Sequence, residues 1–211
     1  METIIEKIKQ EARKYLEDMP PSHDWSHTER VYNLAVEIAE KEGANLLIIQ
    51  LAALLHDTGR KKEMEDPENI DHSKVSSEIA KAILERYQIN SDVAEQILHC
   101  IASHRFRNNC KPETLEAKVL YDADKLDCIG AIGVARAYAW VGEQKISIYS
   151  GKNFLGTGYE KEHSPVTEFL FKLSKVKHTM QTKTGRLLAR QRHNYISDYF
   201  KRLRAELSGK T

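Results

Sequence analysis

Residues 51–60 read LAALLHDTGR. An apolar run ends in the adjacent pair His56-Asp57, and Thr58-Gly59 then breaks the helix. Polar side chains are costly to bury unless they are hydrogen-bonded, paired with a charge or bound to a metal. Two of them at the end of an apolar helix therefore need partners. A satisfied core histidine beside a helix-terminal aspartate is one solution. A metal site completed by ligands from elsewhere in the chain is the other.

The residues leading into the pair, Asn45 to Asp57, are apolar on nearly every side, which marks a central helix covered by several neighbours. A carboxylate at the C-terminal end of such a helix opposes the helix dipole, and a bound cation reverses that penalty. Candidate partners lie on other apolar stripes. His27 shares a helical face with Val31, Leu34, Ala35 and Ile38. His72 precedes Val75, Ile79 and Ile83. His104 follows Ile97 and Ile101, and Asp124 follows Ala117 and Leu120. Each polar residue begins or ends an apolar face. A core or capping role could explain any one of them, but explaining all of them that way requires separate coincidences. A divalent ion held by His56 and Asp57 can draw its further ligands from among these residues.

Helical periodicity dominates the rest of the chain, and strand-like alternation is nearly absent. A first amphipathic helix is expected over about 2–18, closed by Pro20-Pro21. Ser26 is expected to cap the second helix, with Glu29 completing a capping box, and Gly43 to end it. Residues 60–71, RKKEMEDPENID, read as a polar loop, a solvated connector first and one rim of the site as the alternative. One helix is expected to continue past Asp124 to about Gly142, with Gly130 and Gly133 allowing close helix packing. The polar, glycine-containing stretch 144–163 reads as a mobile loop or lid. Ser164-Pro165 opens another helix. A last helix spans about 182–207, and its basic residues Arg186, Arg190, Arg192, Lys201, Arg202 and Arg204 read as a solvated face.

The whole is expected to be an all-α, single-domain helical bundle over residues 1–211. The metal-site core would occupy about 20–140, with C-terminal helices at about 164–207 packed on it. At 211 residues, 41% hydrophobic and 30% charged, the composition is that of an ordinary globular protein. A net charge of +1 argues against a dedicated nucleic-acid or membrane-surface protein. No apolar run approaches the roughly 20 residues of a membrane span. The three cysteines, Cys100, Cys110 and Cys128, are odd in number and lack CxxC spacing, so free thiols and a cytoplasmic location are expected.

Four segments together carry a family resemblance: Trp25-Ser26-His27, Leu54-Leu55-His56-Asp57, Ser103-His104-Arg105-Phe106, and the run from Asp122 to Arg136. In this order they resemble the HD superfamily of metal-dependent phosphohydrolases, and within it the small bacterial members. The likeness runs from about residue 20 to the C-terminus. It implies an HD-type helical bundle in which His27, His56, Asp57 and Asp124 hold the metal. In two-metal relatives, histidines between the HD pair and the final aspartate bind the second ion, and His72 and His104 occupy that region. One ion is the favoured reading here, with His72, His104 and Lys125 binding phosphate or donating a proton to the leaving oxygen. Some members carry a catalytic acid three positions after the HD aspartate. This chain has Arg60 there.

Two imidazoles and two carboxylates suit Mn²⁺, Fe²⁺, Co²⁺, Ni²⁺ or Mg²⁺. Such an ion lowers the pKa of a bound water and neutralises phosphoryl charge. Asp57, Asp124 and Lys125 are the expected catalytic groups. The expected partner is a small phosphorylated substrate such as a nucleotide, handled by a monomer or homodimer without nucleic acid or membrane. Two other roles compete with hydrolysis. A sensor would bind a nucleotide without turnover, although it need not keep a complete hydrolytic ligand set. A structural metal site would usually close with cysteine and histidine, and none of the cysteines fits.

Overall fold

The computed structural model describes residues 3–105, 110–148 and 164–210. Its regular elements are α1 (Ile4–Lys14), α2 (Trp25–Glu42), α3 (Leu46–Leu55), α4 (Arg60–Glu65), α5 (His72–Arg86), α6 (Ser91–Ser103), α7 (Leu115–Leu126), α8 (Gly130–Glu143), α9 (Pro165–Phe171), a 3₁₀ segment (Leu173–His178) and α10 (Lys183–Leu207). No strand occurs among the described residues, and the architecture is the expected all-α bundle. Most of stretch 144–163, together with Phe106, lies outside the described residues.

The bundle is built around α3. Ile48, Ile49 and every residue from Leu51 to Leu55 are buried, and α1, α2, α5, α6 and α7 pack around it. Each buried Leu or Ile contributes roughly 1.5–3 kcal/mol, so this short apolar helix fixes where its C-terminal His56 and Asp57 stand. Asn45 starts it, accepting from the amides of Leu47 and Ile48. Gly43 ends α2 at φ +78°, where the left-handed backbone lets its amide donate to Ala39 O.

Three local expectations are corrected. Asp24, two residues earlier than foreseen, caps α2, and Ser26 donates to it through both its amide and its hydroxyl. Within 60–71, residues Arg60–Glu65 form a helix instead of a loop. An Arg60–Glu63 ion pair at i,i+3 supports it. Having no buried residue, it leaves no apolar period to detect. Its start lies tight against α5, because a Cβ at Gly59 would come within 2.7 Å of His72 O. Finally, the helix through Asp124 stops at Leu126. The chain turns through Asp127–Ile129, and Gly130, at φ +80°, begins α8. A Cβ on Gly133 would meet the Cys128 carbonyl oxygen at 2.3 Å, so that glycine serves this turn.

The last helix, α10, packs on α7, α8 and α2. Arg192 departs from its expected solvated face: it is partly buried, and its guanidinium donates to Leu126 O at 2.7 Å. A buried carboxylate, Asp122, fastens the start of α10 by accepting from Gln181 N, Thr182 N and Thr182 Oγ1 at 2.7–2.8 Å. A Cβ on Gly185 would lie 2.1 Å from Asp122 Oδ2. Gly→Ala inside an exposed helix stabilises by up to about 1 kcal/mol. Here Gly185→Ala should instead destabilise, by about 1–3 kcal/mol, which chemical denaturation would measure.

Candidate metal centre

Two helix pairs deliver the histidines in the same way. His27 stands in the first turn of α2 and His56 at the C-cap of α3; His72 opens α5 and His104 sits at the C-cap of α6. The helix starts match as well. Asp24 caps α2 by accepting from Ser26, and Asp71 caps α5 by accepting from Ser73. Asp57 follows α3 directly, and Asp124 comes from the last turn of α7. All six side chains are buried.

They converge. The Nε2 atoms of His27 and His56 lie 3.4 Å apart, and those of His72 and His104 lie 3.2 Å apart. Asp57 stands between the pairs: Oδ2 is 3.5 Å from His27 Nε2 and 3.8 Å from His56 Nε2. Its Oδ1 is 3.4 Å from His72 Nε2 and 3.8 Å from His104 Nε2. Asp124 Oδ1 completes the first group at 3.5 Å from His27 Nε2. Two sets of ligand atoms thus share one interior, His27–His56–Asp124 and Asp57–His72–His104.

The outer ring nitrogens decide the chemistry. His27 Nδ1 donates to Asp127 Oδ2 at 2.8 Å, His72 Nδ1 to Glu63 Oε2 at 2.8 Å, His56 Nδ1 to Ala53 O at 2.8 Å and His104 Nδ1 to Ile101 O at 2.6 Å. Ionised carboxylates and backbone carbonyls only accept, so each Nδ1 carries the proton and each Nε2 turns its lone pair inward. Burial pushes His27 below its ordinary pKa, with Arg136 adding to the effect. Burial and neighbouring His56 bring His104 down to about 3. Burial works to raise Asp57 and Asp124. Arg60 and the imidazoles outweigh it at Asp57, Lys125 and the imidazoles at Asp124, and both carboxyls stay well below their usual range. Inward lone pairs and carboxylate oxygens at these separations repel one another, and a divalent cation is the group that relieves them. The donor set fits such an ion.

Lys125 and Arg60 supply the nearby positive charge. Lys125 Nζ lies 2.6 Å from Asp124 Oδ2, leaving Oδ1 facing His27. Arg60, the residue that stands where some family members have an acid, reaches Asp57 Oδ1 at 3.0 Å and Glu63 Oε2 at 2.9 Å. Glu63 is an acid that the sequence reading missed, because its segment looked like a solvated connector. Burial works to raise it, but His72, Arg60 and Arg105 outweigh this and bring it to about 2. Asp127 was also passed over, although it lies three residues after Asp124 in YDADKLD, a spacing that returns it to nearly the same helix face. The carbonyls of Ala53 and Ile101 carry no side-chain signature at all.

The HD domain family matches residues 24–129. The chain belongs to the HD-domain family. It is 33% identical over 208 residues to the uncharacterized protein YpgQ of Bacillus subtilis, covering 97% of this chain and 94% of the relative. The crystal structure of B. subtilis YpgQ in complex with ADP matches with a TM-score of 0.77 and 30% identity, over 98% of this chain and 100% of the other. The crystal structure of an HD-superfamily hydrolase from Bacillus thuringiensis matches with a TM-score of 0.74 and 29% identity, over 97% and 96% of the two chains. These likenesses support a metal-dependent hydrolase. No helix among the described residues is long and apolar enough to cross a membrane.

Proposed function

We propose that this protein is a divalent-metal-dependent phosphohydrolase of a nucleotide or another small phosphorylated metabolite. The observation that carries the reading is the inward convergence of four imidazole Nε2 atoms on the Asp57 and Asp124 carboxylates. His27, His56 and Asp124, with the Oδ2 side of Asp57, would hold the ion. When bound, it would activate water near neutral pH and offset charge on the phosphoryl oxygens. His72 and His104 face the other oxygen of Asp57. With a second ion shared through Asp57, or with a proton taken up on Nε2, they would bind substrate phosphate.

The chain's own groups would do the rest. Asp57 and Asp124, both held ionised, orient the attacking water and accept its hydrogen bonds. Lys125 sits at the outer oxygen of Asp124, and Arg60 spans both oxygens of Asp57. There they can exchange a carboxylate for a phosphate oxygen and stabilise its growing charge. YpgQ was solved in complex with ADP, and that likeness favours a nucleotide among the small phosphorylated substrates.

The test is a panel of nucleoside mono-, di- and triphosphates with Mn²⁺, Mg²⁺, Co²⁺ and Ni²⁺, scored separately for phosphate and pyrophosphate release. Turnover of at least one nucleotide is expected, abolished by chelation without loss of helical circular dichroism. Tight nucleotide binding with no turnover under any metal would instead identify a sensor. Unfolding on chelation would identify a structural metal.

A further inference from the structure

The two helix-start histidines are backed differently from the two at helix ends. His56 and His104 donate to carbonyls of their own helices, whereas His27 and His72 donate to carboxylates from other segments. Each of those carboxylates is gripped by two arginines. Asp127 receives Arg30 Nε at 2.8 Å on Oδ1, and Arg30 Nη2 and Arg136 Nη1 at 3.0 Å on Oδ2. Glu63 receives Arg60 Nη1 at 2.9 Å on Oε2 and Arg105 Nη1 at 2.7 Å on Oε1. The arginines are themselves tied into the walls. Arg30 donates to Ser26 Oγ, and Arg136 to the carbonyl of Ser22. Arg105 donates to Asp71, the cap of α5.

We infer that Asp127 and Glu63 are positioning residues: each arginine-clamped carboxylate locks its histidine, His27 or His72, in the tautomer and ring orientation that presents the Nε2 lone pair for a metal ion. The inference rests on the proposed function for what the ring then binds, but not for the lock itself. An imidazole that accepts on Nδ1 would put a proton on Nε2 and lose its ligand lone pair. A carboxylate already holding two guanidiniums can only accept, so it excludes that tautomer. It cannot swing away, because both its oxygens are engaged. Asp127 is fully buried and fastened most tightly. Its position also links the His27 ligand on α2 to the Asp124 ligand one turn earlier on α7. Glu63 is partly exposed, so its lock is the weaker one. Partners of this kind typically change metal affinity 10–100-fold.

Asp127→Asn keeps the volume but removes the charge and turns one gripped oxygen into a donor facing donors, so the clamp fails and the lock on His27 is weakened. Manganese affinity, read by titration calorimetry, should fall about 10–100-fold. Histidine ¹⁵N spectra of the metal-free protein, with His27 assigned through His27→Asn, should show the Nδ1–H form of His27 in the wild type and its depletion in Asp127→Asn. Glu63→Gln should do the same to His72 to a smaller degree, and at its partly exposed site it leaves the core intact. A purely structural Asp127 would shift the unfolding midpoint while leaving both the tautomer and the affinity unchanged. A folded Asp127→Asn protein with wild-type manganese affinity would overturn the inference, as would a wild-type His27 that carries its proton on Nε2. The tautomer is read without metal, so it decides the lock even if the wild type binds no manganese. That last result would defeat the reading of the site instead.

Discussion

Asp57→Asn is expected to abolish nearly all metal-dependent hydrolysis while leaving the helices in place. Asp57 lies within 4 Å of both pairs of histidines, with Oδ2 at 3.5 Å from His27 and Oδ1 at 3.4 Å from His72. The amide preserves volume in a fully packed position at the end of α3, so packing around Leu51–Leu55 changes little. It removes the charge that a cation needs and replaces one acceptor oxygen with a donor nitrogen. It also takes from the Arg60 guanidinium one of its two carboxylate partners, leaving Glu63. Removing one charged group aimed at a transition state commonly costs about 10²–10³ in rate. Asp57 faces both candidate ligand sets, so a loss in kcat/KM of about 10³ or more is expected, equal to about 4 kcal/mol. Steady-state kinetics at saturating metal, beside circular dichroism, check this. A folded variant within tenfold of wild type would remove Asp57 from the centre of the account.

Asp124→Asn and Lys125→Ala should separate metal binding from charge stabilisation, although the two residues are adjacent and in contact. Asp124→Asn takes away the Oδ1 charge facing His27, so metal content and turnover should fall together, turnover by about 10²–10³. Lys125→Ala removes no ligand. It frees Asp124 Oδ2, now held by the ammonium at 2.6 Å, so metal content should be kept or rise. The lost positive charge should still lower kcat by about 10²–10³ at saturating metal. Elemental analysis paired with kinetics reads both. A metal-free Lys125→Ala protein would show that the lysine maintains the ligand geometry instead of contacting phosphate.

What could be read from the sequence follows from which forces leave a periodic trace. Burial does. The stripe that begins at His27, those that end in His104 and Asp124, and the all-round apolar α3 announced both the helices and the residues they carry inward. Interactions without burial left less. The helix α4 is held by ion pairs between neighbouring polar residues and by a close approach at Gly59, so its polar sequence passed for a loop. The cap of α2 went to Asp24 instead of Ser26, because both residues have capping side chains and only the backbone decides between them. The break after Leu126 turns on Gly130 adopting a left-handed φ, which glycine permits but does not require. The same division holds in the site. Residues whose side chains point inward were visible as misplaced polar groups. Asp127 and Glu63 act from behind the histidines, and the clamp on each is completed by an arginine distant in sequence, Arg30 or Arg105, that only the folded chain brings in.

The most direct test of the account is manganese anomalous diffraction from crystals of the wild-type protein soaked in the metal. The account predicts a peak bonded to His27 Nε2, His56 Nε2 and a carboxylate oxygen from each of Asp57 and Asp124, at about 2.0–2.2 Å. A second peak between Asp57, His72 and His104 would show the neighbouring set to be a cation site as well. No peak among these six side chains, with manganese found only at exposed carboxylates, would contradict it.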